Sequence, residues 1–168
     1  GVSNSFYGWW AYGNTSTIIN RIDFSSDGSG APARGTLIGG RGSMFHGGND
    51  IYGYFGGGYG APTNYSSIER LTYANDTVTA TARGPFNATK TQKSSVGNYV
   101  KERPLQLTAP LTNGYGWVIS GATKPYAAFS NIQRIDFGND TGISSVRGTV
   151  AYGSGNTVWA TVNTDTSA

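Results

Sequence analysis

The sequence predicts an all-β chain built from tandem antiparallel sheet units, and three observations carry the prediction. Strand-favouring residues abound (11 Tyr, 7 Phe and 4 Trp beside many Thr), and 26 Gly punctuate them. Apolar residues do not keep helical spacing for more than about two turns anywhere. Finally, one unit of roughly 45 residues occurs three times, and internal repetition of that length marks a repeat architecture. A disordered Gly-, Ser- and Thr-rich chain would be poor in aromatics, and this one is 13% aromatic.

The repeat is read most clearly from an Ile-x-Arg-Ile/Leu-x-aromatic element. It occurs as Ile19-Asn20-Arg21-Ile22-Asp23-Phe24, as Ile68-Glu69-Arg70-Leu71-Thr72-Tyr73, and as Ile132-Gln133-Arg134-Ile135-Asp136-Phe137. Six residues after each Arg stands an Asp (Asp27, Asp76, Asp140), and thirteen after it an Arg-Gly pair (Arg34-Gly35, Arg83-Gly84, Arg147-Gly148). Upstream lies a Tyr-Gly-aromatic element: Tyr7-Gly8-Trp9, Tyr52-Gly53-Tyr54 and Tyr115-Gly116-Trp117. A Gly-Asn pair follows each Arg-Gly, at 48–49, 97–98 and 155–156. Units are thus expected at about 6–50, 51–114 (with an insertion at 100–114) and 115–156, with a partial fourth strand at 157–162.

Each unit offers four short strands: one ahead of Gly-Asn, one at Tyr-Gly-aromatic, one at the Arg-Ile-Asp-Phe element and one ending at Arg-Gly. Alternation puts Ile19, Ile68 and Ile132 on the face of the arginines, and Ile22, Phe24 and their counterparts on the other. Both faces carry bulky apolar groups, as expected of small sheets stacked on both sides. The first unit is expected to lack the strand ahead of Gly-Asn. Three stacked sheets would also expose outer-face residues such as Ile19 or Phe137. The chain is therefore expected not to work as an isolated monomer.

Chemistry-bearing residues are sparse. The one His, His46, has no Cys and no repeated carboxylate beside it, so it is expected to be an ordinary strand or loop residue rather than a zinc ligand or triad base. Asp23 and Asp136 occupy equivalent positions, but a unit apart, unlike a glycosidase pair flanking one bond. The repeated Arg and Asp are expected to form hydrogen bonds or ion pairs that lock each unit to the next, the alternative being a rim for an anionic sugar. Gly56-Gly57-Gly58-Tyr59-Gly60 lacks the Lys-Ser/Thr and helix start of a phosphate loop. Tyr59, Tyr65 and Tyr126, in the stretches between the Tyr-Gly and Arg strands, are candidates for stacking on glycans, whereas Trp9 and Trp117 are expected in the core. No enzyme activity, cofactor or metal is expected.

The net charge of +3 is spread over twelve Lys and Arg without a run, which argues against a nucleic-acid surface. No stretch of 18 apolar residues occurs, so no membrane helix is expected, and the absence of Cys leaves the redox compartment open. A start at Gly1 rather than Met suggests processing or excision from something longer.

Tyr52-Gly53-Tyr54-Phe55-Gly56-Gly57-Gly58 and Tyr73-Ala74-Asn75-Asp76-Thr77, leading to Arg83-Gly84-Pro85, resemble a kelch-type β-propeller repeat. More narrowly, they resemble repeats in virion structural proteins of marine bacteriophages (the cyanophage type). The resemblance spans residues 6–160, although Thr36 and Thr149 replace the Pro after Arg-Gly and the 100–114 insertion is foreign to it. It implies propeller-like blades, incomplete as a closed ring with three units. It also implies a virion or extracellular place in an exposed tail-fibre or capsid-surface component, with partners among copies of itself, other virion proteins and host-surface carbohydrate. A secreted carbohydrate-binding or kelch-like interaction module is the alternative.

Overall fold

The structure, a computed structural model, describes residues 1–13, 15–28, 30–89, 91, 115–123 and 127–149. These described residues are all-β, with four small antiparallel sheets among them, none of which closes into a barrel. The first sheet runs in chain order through β1 (Val2–Ser3), β2 (Tyr7–Ala11), β3 (Ile18–Asp23) and β4 (Ala33–Thr36). The second contains β5 (Phe45–Gly48) and β6 (Tyr52–Gly56). The hairpin of β7 (Tyr59–Gly60) and β8 (Thr63–Asn64) then intervenes before β9 (Ile68–Thr72) and β10 (Thr81–Ala82) complete the sheet. The third comprises β11 (Tyr115–Thr123), β12 (Ala127–Asp136) and β13 (Ser145–Thr149).

The register is the same in all three. Trp9 pairs with Arg21, Tyr54 with Arg70, and Trp117 with Arg134. Directly paired residues project to one face of a sheet, so Trp9 leaves the first sheet beside Arg21 and Tyr54 the second beside Arg70. The pairing of β3 with β4 and of β12 with β13 also slips at equivalent places, just before the Arg. Such a bulge turns the strand locally and re-aims the side chain beside it.

The expectation for the first strand needs correction. The first unit does possess the strand ahead of Asn: β1 pairs antiparallel with β2, Val2 opposite Trp9. Asn4 then accepts the Phe6 and Tyr7 amides at 2.9 Å, as Asn49 accepts those of Ile51 and Tyr52 at 2.9 and 2.8 Å. The same side chain closes the same turn, because its short amide reaches backbone two and three residues on. It follows that β5 belongs to the second sheet, and the boundary between the first two units falls before Phe45 rather than at residue 50. The expected insertion at 100–114 and the strand at 157–162 lie outside the described residues.

Two apolar clusters lie between the sheets. Trp9, Ile19, Leu37 and Met44 meet Leu71, Tyr73 and Ala80 in the first; Tyr54, Ile68 and Phe86 meet Val118, Ile135 and Phe137 in the second. Ile19 and Phe137 are therefore buried rather than exposed, because each faces the second sheet. Each fully buried large side chain contributes about 2–3 kcal/mol of transfer free energy, so these seams are where the fold is held. No helix among the described residues is long and apolar enough to cross a membrane.

Candidate functional site

The repeated polar residues converge at the seams. Asp76, on the second sheet's unit, receives three side chains of the first. Arg21 Nη1 lies 3.0 Å from Oδ2, Arg34 donates from Nε to Oδ1 at 3.0 Å and holds Nη2 at an ion-pair distance of 2.9 Å from the same oxygen, and Trp9 Nε1 donates to Oδ2 at 2.8 Å. The Trp9 ring stacks on Tyr73 at 4.2 Å, and the Arg21 guanidinium sits 4.3 Å above the Tyr7 ring. A carboxylate this enclosed is tolerable only with several charged or polar donors.

The second seam repeats the arrangement. Asp140 Oδ2 accepts from Arg70 Nη1 at 2.8 Å and Tyr54 Oη at 3.0 Å, and Arg83 Nε forms an ion pair with it at 3.2 Å. Tyr54 stacks on Phe137 at 4.7 Å, and Arg70 lies 4.2 Å above Tyr52. Each clasp thus runs from two Arg and one aromatic donor of one unit to the Asp and aromatic of the next. Backbone bonds accompany it. Ala80 N–H donates to Thr36 at 2.7 Å, and at the equivalent place Ser144 N–H donates to Pro85 at 3.1 Å.

The electrostatics follow from these contacts. Burial alone would raise the Asp76 carboxyl, but hydrogen bonds from Arg34 and Trp9 and the charges of Arg21 and Arg34 outweigh it and hold it below the usual range. Burial, then the Asp140 charge, raises the Tyr54 phenol far above its usual range, which keeps it a donor.

A second polar lock, not foreseen from sequence, sits between the first and second sheets. Arg41, fully buried in the connection from β4 to β5, pairs with buried Glu69 and donates to Ser67 Oγ at 2.6 Å, with its guanidinium over the Tyr65 ring at 4.9 Å. The other Glu69 oxygen accepts the Ile38 amide at 2.7 Å. Burial raises the Glu69 carboxyl and lowers the Arg41 guanidinium, each opposed by the other's charge. In the third sheet the equivalent Gln133 is neutral. It accepts from Ser144 Oγ and donates to Asn87 Oδ1, both at 2.5 Å. The available signal was Glu69 itself, a lone charge on an otherwise apolar strand face.

The remaining expected residues fall as follows. Asp27 and Arg147 are exposed and Arg134 is half-buried. Asp23 and Asp136 take no part in the clasps. Asp23 accepts the Ser25 amide at 2.9 Å and Asp136 that of Gly138 at 2.9 Å, so both close tight turns. Tyr59 is half-buried in the β7–β8 hairpin, and Tyr65 has a ring face occupied by Arg41. Tyr126 and the Trp117 side chain lie outside the described residues, and Trp9 is buried. His46 is on β5 with Nε2 enclosed and its ring edge-on to Phe55 at 5.5 Å; burial, aided by the charged amino terminus, pulls its pKa down to about 3. No group of three or more His, Asp or Glu among the described residues could hold a metal ion.

No protein-family model matches the chain, and no curated protein matches it. The geometry itself commits both clasp carboxylates to donors from the neighbouring sheet. That arrangement joins one sheet to the next; it leaves neither oxygen of Asp76 without a donor for proton transfer.

Proposed function

We propose that the chain is a structural repeat module of a bacteriophage virion, part of an exposed appendage or of the capsid surface. Its sheets act as propeller-like blades joined in series, and its task is mechanical: to hold a stiff, repetitive surface outside the particle without catalysis or a cofactor. The observation that carries this reading is the recurrence of one clasp at both seams, with two Arg, an aromatic donor and one Asp at the same offsets. A binding or catalytic site needs one constellation; a scaffold needs the same one at each joint. The kelch-type and phage-repeat resemblance of the second unit supplies the setting. Glycan adhesion has less support, since Tyr65 is engaged by Arg41 and Tyr59 is half-buried. Peptide mass spectrometry of gradient-purified particles of the phage that encodes the chain tests the proposal, with gold-labelled antibody locating it. The chain is expected in stoichiometric amount on the particle exterior. Its absence from purified virions would overturn the assignment.

A further inference from the structure

Each clasp has a donating and a receiving side. On the second sheet the receiving side is Leu71, Tyr73, Asp76 and the Ala80 amide; on the third it is Ile135, Phe137, Asp140 and the Ser144 amide. The preceding sheet buries all of these residues. The same offsets on the first sheet give Ile22, Phe24, Asp27 and Ala31. Here Phe24 is 49% exposed and, with Phe6 at 69%, forms an open aromatic patch. Asp27 is exposed and, unlike Asp76 and Asp140, has no ion pair among the described residues. The side is already shaped for stacking. The Phe24 ring lies over Gly8, where a Cβ would come within 3.1 Å of it, as the Tyr73 ring lies over Gly53, where a Cβ would come within 3.0 Å.

The third sheet carries the donating offsets. Its Tyr-Gly-aromatic strand is in register with Arg134, and thirteen residues on stands Arg147, exposed, followed by Gly148 and Thr149 at the places of Gly35-Thr36 and Gly84-Pro85. The geometry points to a head-to-tail contact between copies of this chain. Asp27 of one copy receives Arg147 of another, as Asp76 receives Arg34, Phe24 is covered by the other copy's third sheet, and the Ala31 amide donates to the Thr149 carbonyl. The charges are complementary, and the apolar patch beside Asp27 is of the kind the existing seams cover. The contact joins two different faces, so it extends into rings or filaments instead of stopping at a symmetric pair. It rests on the clasp geometry alone, whatever surface the protein is displayed on.

The test is light scattering on the full chain over a concentration series, with circular dichroism to confirm folding. Wild type is expected to grow in mass with concentration. Asp27→Arg and Arg147→Ala are each expected to weaken association on the order of 30-fold or more, as loss of a desolvated charge pair does. A 1:1 mixture of the two variants retains one intact pair of faces and is expected to form dimers that grow no further. A monomeric wild type, undiminished association of either variant, or a mixture that stays monomeric would each overturn the contact. A monomer whose melting point falls on Asp27→Arg would mean that the chain closes on its own Asp27, which also overturns it.

Discussion

At the scale of single residues, the seams show how the same position is solved with different chemistry. Glu69 and Gln133 follow one another in the repeat, yet the first needs the buried Arg41 and the second takes Asn87 and Ser144. This lock was illegible in the sequence because the position reads Asn, Glu and Gln in the three units, and the offset of Arg41 reads Arg, Lys90 and Ser154. The Arg and Asp of the clasps were legible, since their offsets repeat without change. Two of the shifted groups, His46 and Asp76, weaken the folded chain in acid. His46 keeps its proton off down to about 3 in the folded chain, against 6.5 ordinarily. The unfolded chain therefore takes up a proton first, and stability falls as pH drops from about 6.5 toward 3, by up to about 1.4 kcal/mol per pH unit. The depressed carboxyl of Asp76 contributes stability that is present above its ordinary 3.8 and lost as pH falls through its lower folded value. Urea titrations between pH 7 and 3.5 should show His46→Gln flattening the loss above pH 4.5 while the fall at lower pH remains. An unchanged slope above pH 4.5 would mean that His46 titrates normally in the folded chain.

At the scale of elements, glycine decides how closely neighbouring sheets approach. The glycine after the second Arg of each clasp lies against the backbone of the next unit. A Cβ on Gly35 would come within 2.7 Å of the Asp76 carbonyl oxygen, and one on Gly84 would collide with the Gly142 carbonyl. Backbone cannot swing aside as a flexible side chain can, so any side chain there forces the seam apart. We expect Gly84→Ala to destabilise by about 2–3 kcal/mol, in the range of overpacked cores. Gly142→Ala, whose Cβ would meet nothing within 4 Å, should cost less than about 1 kcal/mol. Equal shifts in thermal melting would show that the seam tolerates widening. The strands themselves were legible from alternation and from the Tyr-Gly and Arg-Ile elements. The missed one, β1, has no Gly before its Asn; its signal was that Asn4 stands three residues before Tyr7, as Asn49 does before Tyr52.

At the scale of the whole molecule, stability is distributed over two seams, each with its own apolar cluster and its own clasp. In such a series each sheet is held mainly by its neighbours, and the first sheet leaves Phe6 and Phe24 exposed on its outward side. Sequence gave the repeat but not its direction. Alternation alone could not say which neighbour Ile19 or Phe137 faces, and both turned out to look inward at the second sheet while Phe24 looks outward. The direction is written in which Asp each Arg chooses, and a set of double-mutant cycles reads it. Coupling should be measured by denaturation for Arg34 with Asp76, for Arg83 with Asp140, and for Arg21 with Asp27, the pair within one unit. The two pairs across the seams should each couple by about 1–3 kcal/mol, and the pair within the unit should not couple. Coupling of Arg21 with Asp27, or none across either seam, would contradict a fold held sheet to sheet by these clasps.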